Sequence, residues 1–92
     1  MKYERIPEIV EAVPVHEIEY SHRVARDCDM PKWVQDGLHK GVLLFQYGKI
    51  VIRTPLGFCD HDGISYLVHS LDNDGWFFVL SSDFRRNFRE CR

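Results

Sequence analysis

Residues 47–91 decide the fold. YGKIVIRTPLGF (47–58), a Gly-containing turn, ISYLVHS (64–70), DNDG (72–75), WFFVL (76–80) and SSDFRRNF (81–88) follow one another with almost no spacer. The order reads as strand, turn, strand, turn, strand and a short helical cap. Gln46-Tyr47-Gly48 joins 42–45 to 49–54 as a hairpin in which Gly48 supplies a positive φ. Within the second arm Ile50 and Ile52 share one face, and Val51 and Arg53 the other. Pro55-Leu56-Gly57 and Asp60-His61-Asp62-Gly63 are turn sequences. In 64–70, Ile64, Tyr66 and Val68 alternate with Ser65, Leu67 and His69, the period of a strand with one better-buried face. The unbroken apolar run 76–80 is the pattern of a central strand buried on both faces. Ser81, Ser82 and Asp83 then offer caps for a short C-terminal helix.

Outward from this stretch the pattern weakens. Segment 6–15 mixes Ile9, Val10, Val13 and Val15 with Glu8 and Glu11, and its Pro7 and Pro14 remove ladder donors, so it reads as an edge strand. In 17–29 apolar residues are sparse and no period holds, which predicts a long loop with room for a turn of helix. Residues 31–40 carry an Asp cap candidate at Asp29, Pro31 in the first turn, His39 and Lys40 in the last and Gly41 beyond: one helix, with Trp33, Val34 and Leu38 toward the sheet. The fold expected is α+β in a single domain, 1–92: a small, twisted, mainly antiparallel sheet of five or six strands with one packed helix and a short C-terminal helix.

Composition bounds the chemistry. A chain of 92 residues buries only about 60% of its unfolded surface, which leaves little room for a deep cavity. A hydrophobic content of 45% with 28% charged residues is that of a folded domain. No apolar run approaches the length of a bilayer span, and the opening MKYERIPEIVEAV has charge and Pro where a signal peptide needs an apolar core; no membrane role and a cytoplasmic location are expected. Cys28, Cys59 and Cys91 are odd in number and widely spaced, the pattern of reduced thiols. A net charge of -2 means that any nucleic-acid binding comes from a local patch.

The turns Asp60–Gly63 and Asp72–Gly75 imitate the centre of a calcium loop, but neither alignment supplies the first carboxylate and the twelfth-position Glu, so ordinary turns explain them. Cys59 and His61 lie two apart, yet no further ligands stand at a metal-site spacing. There is no nucleophile-elbow, P-loop or dinucleotide fingerprint. An enzyme, a metal and a cofactor are therefore not expected. Tyr47, Tyr66, Trp76, Phe77 and Phe78 have the composition of a base-stacking platform, although a domain this small needs such residues as core. Phe84 and Phe88, spaced i, i+4, anchor the last helix while its arginines form a solvated basic face.

Taken in order, MKYERIPEIVEAV, MPKWVQDGL, YGKIVIRTPLG, ISYLVHSLDNDGWFFVLSSDF and a final Phe resemble a family of small proteins of temperate phages and prophages. Tyr3, Pro7, Val10, Glu11, Ala12 and Val13 fit its opening; Pro31, Trp33 and Val34 its Pro-Glu-Trp-Val helix. Gly48, Lys49, Ile50, Ile52, Thr54 and Gly57 fit its Gly-Lys-Leu-x-Ile-x-Thr hairpin, and Asp62, Gly63, Tyr66, Gly75, Phe78, Asp83 and Phe84 its end. The family's Pro-Gly-Asp turn is replaced by Asp60–Gly63. The resemblance implies a phage or prophage accessory protein that acts without catalysis by binding a host protein, an inhibitor of a bacterial defence system of the anti-CRISPR type being its most specific form. Two alternatives rest on residue chemistry. One is a homo-oligomer that sequesters a signalling nucleotide with Arg53, Tyr66, Arg85 and Arg86, since Arg pairs phosphate in bidentate fashion. The other is nucleic-acid binding through Arg85, Arg86 and Arg89.

Overall fold

A computed structural model describes residues 2–5, 8–61 and 64–90. The elements are Lys2–Arg5 (β1), Glu8–Pro14 (β2), Val15–Arg23 (α1), a 3-10 turn at Asp27–Asp29, Lys32–Lys40 (α2), Leu43–Gln46 (β3), Lys49–Thr54 (β4), Gly57–Cys59 (β5), Ser65–Ser70 (β6), Trp76–Leu80 (β7), Ser81–Asn87 (α3) and Arg89–Glu90 (β8). The chain is α+β and its strand pairs are antiparallel, as expected. The strands are shared between a five-stranded sheet, β7-β6-β2-β1-β8, and a three-stranded sheet, β3-β4-β5. Contacts gather into two units, residues 1–14 with 62–92, and residues 15–61.

In the first unit β2 is the middle strand, not an edge. Pro14 is its last residue, where a missing donor costs the ladder nothing; Pro7 lies outside the described residues. Register sets Ala12 opposite Val68 and Val68 opposite Phe77, which brings Val10, Ala12 and Val68 onto one face. Onto that face α3 lays Phe84 and Phe88, with Phe84 stacked on Tyr66 at 4.0 Å and on Phe88 at 4.7 Å. The i, i+4 pair is thus the helix anchor anticipated, each ring contributing about 1.5–3 kcal/mol by burial. The N-cap of α3 is Leu80, without the side-chain cap that Ser81, Ser82 or Asp83 was expected to give. The run 76–80 is a terminal strand of the sheet rather than a central one. It is apolar throughout because Phe77 and Val79 pack against the core while Trp76 stacks on His69 across the strand pair at 4.2 Å. Ile64 precedes β6 and is exposed, contrary to expectation, whereas Leu67 and Val68 are both fully buried.

The second unit holds the main surprise, since 17–29 begins as helix. Val15 and Ile18 are buried, and the half-buried Glu19 and His22 complete the i, i+3, i+4, i+7 face. Two of four inward positions are polar, which hid the period. Each has a partner. His22 stacks on Phe45 at 3.7 Å, and Glu19 answers a need of the sheet. Arg53 donates its N–H to Val42 O at 2.7 Å, so Lys49, Val51 and Arg53 turn their backbone groups toward β3, and Ile50 and Ile52 turn theirs the other way. On that side β5 ends at Cys59, and the N–H of the fully buried Ile50 meets Glu19 Oε2 at 3.0 Å. Helix α2 begins after Pro31, its N-cap in place of the expected Asp29, and ends on Gly41 at φ 81°. Tyr47 and Gly48 close the β3–β4 hairpin with φ of 53° and 79°.

Removing the Glu19 acceptor leaves a buried amide unsatisfied. Glu19→Ala is expected to cost about 2 kcal/mol in urea unfolding, and Glu19→Gln, which keeps an acceptor oxygen, markedly less. Equal losses for the two substitutions would show that the carboxylate carbonyl is not what Ile50 requires.

Candidate functional site

The ionisable groups of the second unit form a chain of ties. Glu19 Oε2, already bonded to Ile50, lies 2.9 Å from His61 Nε2, and the His61 side chain is only 6% exposed. Next along the chain, Asp60 accepts the His61 backbone N–H at 2.7 Å and the Lys49 ammonium at 3.2 Å. These contacts join α1, the start of β4 and the segment after β5. Among the described residues no three His, Cys, Asp or Glu side chains group as metal ligands. Cys28 and Cys59 are exposed free thiols; Cys91 lies outside the described residues.

Several large apolar side chains also face solvent. The β4–β5 turn presents Leu56, 100% exposed, and Phe58, 54% exposed, and register sets Phe58 directly opposite Arg53 on one face. Because Gly57 and Cys59 alternate with it in the ladder to β4, Phe58 turns its backbone N–H and C=O outward from the sheet end. On α1, Tyr20 is exposed and carries the Arg23 guanidinium over its ring at 5.6 Å, with Val24 one turn further on. At the β3–β4 turn Tyr47 is fully exposed.

Arg53 therefore lies beside an aromatic side chain, as a contact residue should. Tyr66 is half-buried with one ring face covered by Phe84, which places it with the core. The exposed Arg85 and Arg86 share α3 with that Phe84 within the first unit, while Arg53 belongs to the second. Arg89 is in β8, and its side chain lies outside the described residues. Phe77 packs on the core as expected of a small domain, whereas Tyr47 does not. Leu56, Phe58 and Tyr20 were missed by sequence reading. The signal for Leu56 was its place between Pro55 and Gly57, since the centre of a tight turn is exposed whatever residue fills it.

The fold and this surface define a small antiparallel α+β protein in which Glu19, His61, Asp60 and Lys49 are tied to one another and several large apolar side chains are exposed. No helix among the described residues is long and apolar enough to cross a membrane. Comparison with protein-family models, with curated proteins and with solved structures finds no match to the chain.

The Asp60 carboxyl is held below its ordinary value of 3.8, first by the His61 backbone N–H and then by Lys49. A depressed carboxyl stabilises the folded state above its unfolded value, and that contribution disappears as pH falls through the lowered one. Asp60→Asn is expected to lower Tm slightly at pH 7 and to flatten the acid limb of the Tm–pH curve below pH 3.8 by the same small amount, because the group is exposed. An acid limb identical to that of the wild type would remove Asp60 from the acid response.

Proposed function

We propose that the chain is a non-catalytic phage or prophage accessory protein that binds a host protein. Inhibition of a bacterial defence system, of the anti-CRISPR type, is the most specific form of this reading. The observation that carries it is the Arg53–Phe58–Leu56 surface: two large apolar side chains held in solvent at the end of a sheet, with the exposed Arg53 opposite Phe58 in the strand register. Aromatic and Arg side chains carry most of the energy of protein interfaces, and a patch whose centre is apolar and whose rim is charged is their usual form. Phe58 adds one outward N–H and C=O, enough to receive the end of an extended segment but too little for a long added strand. The resemblance of the sequence to phage and prophage proteins supplies the biological setting.

A second reading, nucleic-acid binding, is favoured by the exposed pair Arg85 and Arg86 on α3. It predicts retention of DNA or RNA that falls steeply with salt and is lost in Arg85→Ala/Arg86→Ala.

Gentle purification of the tagged protein from bacterial cells, followed by native mass spectrometry, separates the readings. A host protein in stoichiometric complex is expected, reduced by at least about 30-fold in affinity by Phe58→Ser. A homo-oligomer carrying a nucleotide mass, a salt-sensitive nucleic-acid complex or a bare chain would each contradict the host-protein reading.

A further inference from the structure

The turn between β6 and β7 is built on a chemically fragile pair. Asp74 sits at φ 58°, in the left-handed region that Asp and Asn enter more readily than most side chains. A Cβ added at Gly75 would come within 2.8 Å of Asn73 Oδ1, so a side chain there would push Asn73 off its bond to the Gly75 N–H. The backbone therefore favours Asp-Gly, the dipeptide most prone to isomerise in water, because nothing hinders the nitrogen of the second residue. That nitrogen attacks Asp74 Cγ: the C–N bond forms, the C–O bond breaks, and the hydroxyl leaves with the amide proton as water. Water then reopens the cyclic imide at either carbonyl and gives back Asp or yields isoaspartate, whose main chain is longer by one methylene.

In the fold both reacting groups are occupied. The Gly75 N–H donates to Asn73 Oδ1 at 2.8 Å. Asp74 Oδ1 accepts from His69 Nε2, which is the donor because a carboxylate has no proton to give. His69 is itself held, its ring stacked on Trp76 at 4.2 Å and its side chain 14% exposed. Much depends on this turn, since the Ser70 N–H donates to Gly75 O at 2.8 Å and an extra main-chain atom after residue 74 would displace that rung of the β6–β7 ladder.

We propose that Asp74 is a latent isomerisation site, kept as Asp in the folded chain by the hydrogen bonds of His69 and Asn73. The proposal stands apart from the host-protein reading and needs no partner.

The test incubates the full chain at neutral pH, well below its Tm, and reads isoaspartate at residue 74 by peptide mapping with electron-transfer fragmentation. The wild type unfolded in urea is expected to convert at least about tenfold faster than the folded wild type, the factor by which one hydrogen bond shifts an equilibrium. His69→Phe keeps a ring for Trp76 and removes the donor, while Asn73→Ala frees the Gly75 N–H in an exposed turn. Each is expected to speed conversion of the folded chain by about tenfold. Equal rates in the folded and unfolded wild type overturn the proposal, as do variants that circular dichroism shows to be folded and that convert no faster than the folded wild type.

Discussion

The second unit depends on one carboxylate. A three-stranded sheet whose last strand has only three residues leaves the inner strand with backbone groups that no strand reaches, and the N–H of Ile50 is one of them. Burying that group without a partner would cost more than a typical hydrogen bond returns. Glu19 resolves this from a helix, and in doing so fixes the position of α1, takes up the His61 ring and sets the base of the β3–β4 hairpin. The continuous burial of Ile50, Val51 and Ile52 follows, since both faces of β4 are covered. A polar side chain here takes the part of a strand.

The same carboxylate explains why the helix was hidden in the sequence. Hydrophobic periodicity detects a helix when its inward face is apolar. In α1 the inward face is Val15, Ile18, Glu19 and His22, so half of the signal is replaced by groups whose partners lie at residues 50, 61 and 45. By contrast α3, whose inward residues are Phe84 and Phe88, was legible at once, as was the Tyr47-Gly48 hairpin. Strand position was read less well than strand existence. Pro14 and the run 76–80 suggested edge and centre respectively, and the sheet order reverses both. Composition reports how much of a strand is covered but not whether a neighbouring strand or a packed ring covers it.

The surface was legible for Arg53 and not for its neighbours. Polar types announce exposure, whereas Leu56, Phe58 and Tyr20 have the composition of core and are exposed only because of where register and turn geometry place them. Such residues contribute little to folding. The proposed function would use them as contacts with a protein partner. The charged groups, tied pairwise through Glu19, His61, Asp60 and Lys49, serve to hold the turns that present them.

Amide hydrogen exchange of Ile50, resolved by NMR in the wild type and in Glu19→Ala, tests this account most directly. If Glu19 replaces the missing strand, the Ile50 amide exchanges as slowly as those of Val51 and Ile52 in the wild type and faster in the variant. An Ile50 amide that exchanges as quickly as that of the exposed Tyr47, or one indifferent to the substitution, would contradict it.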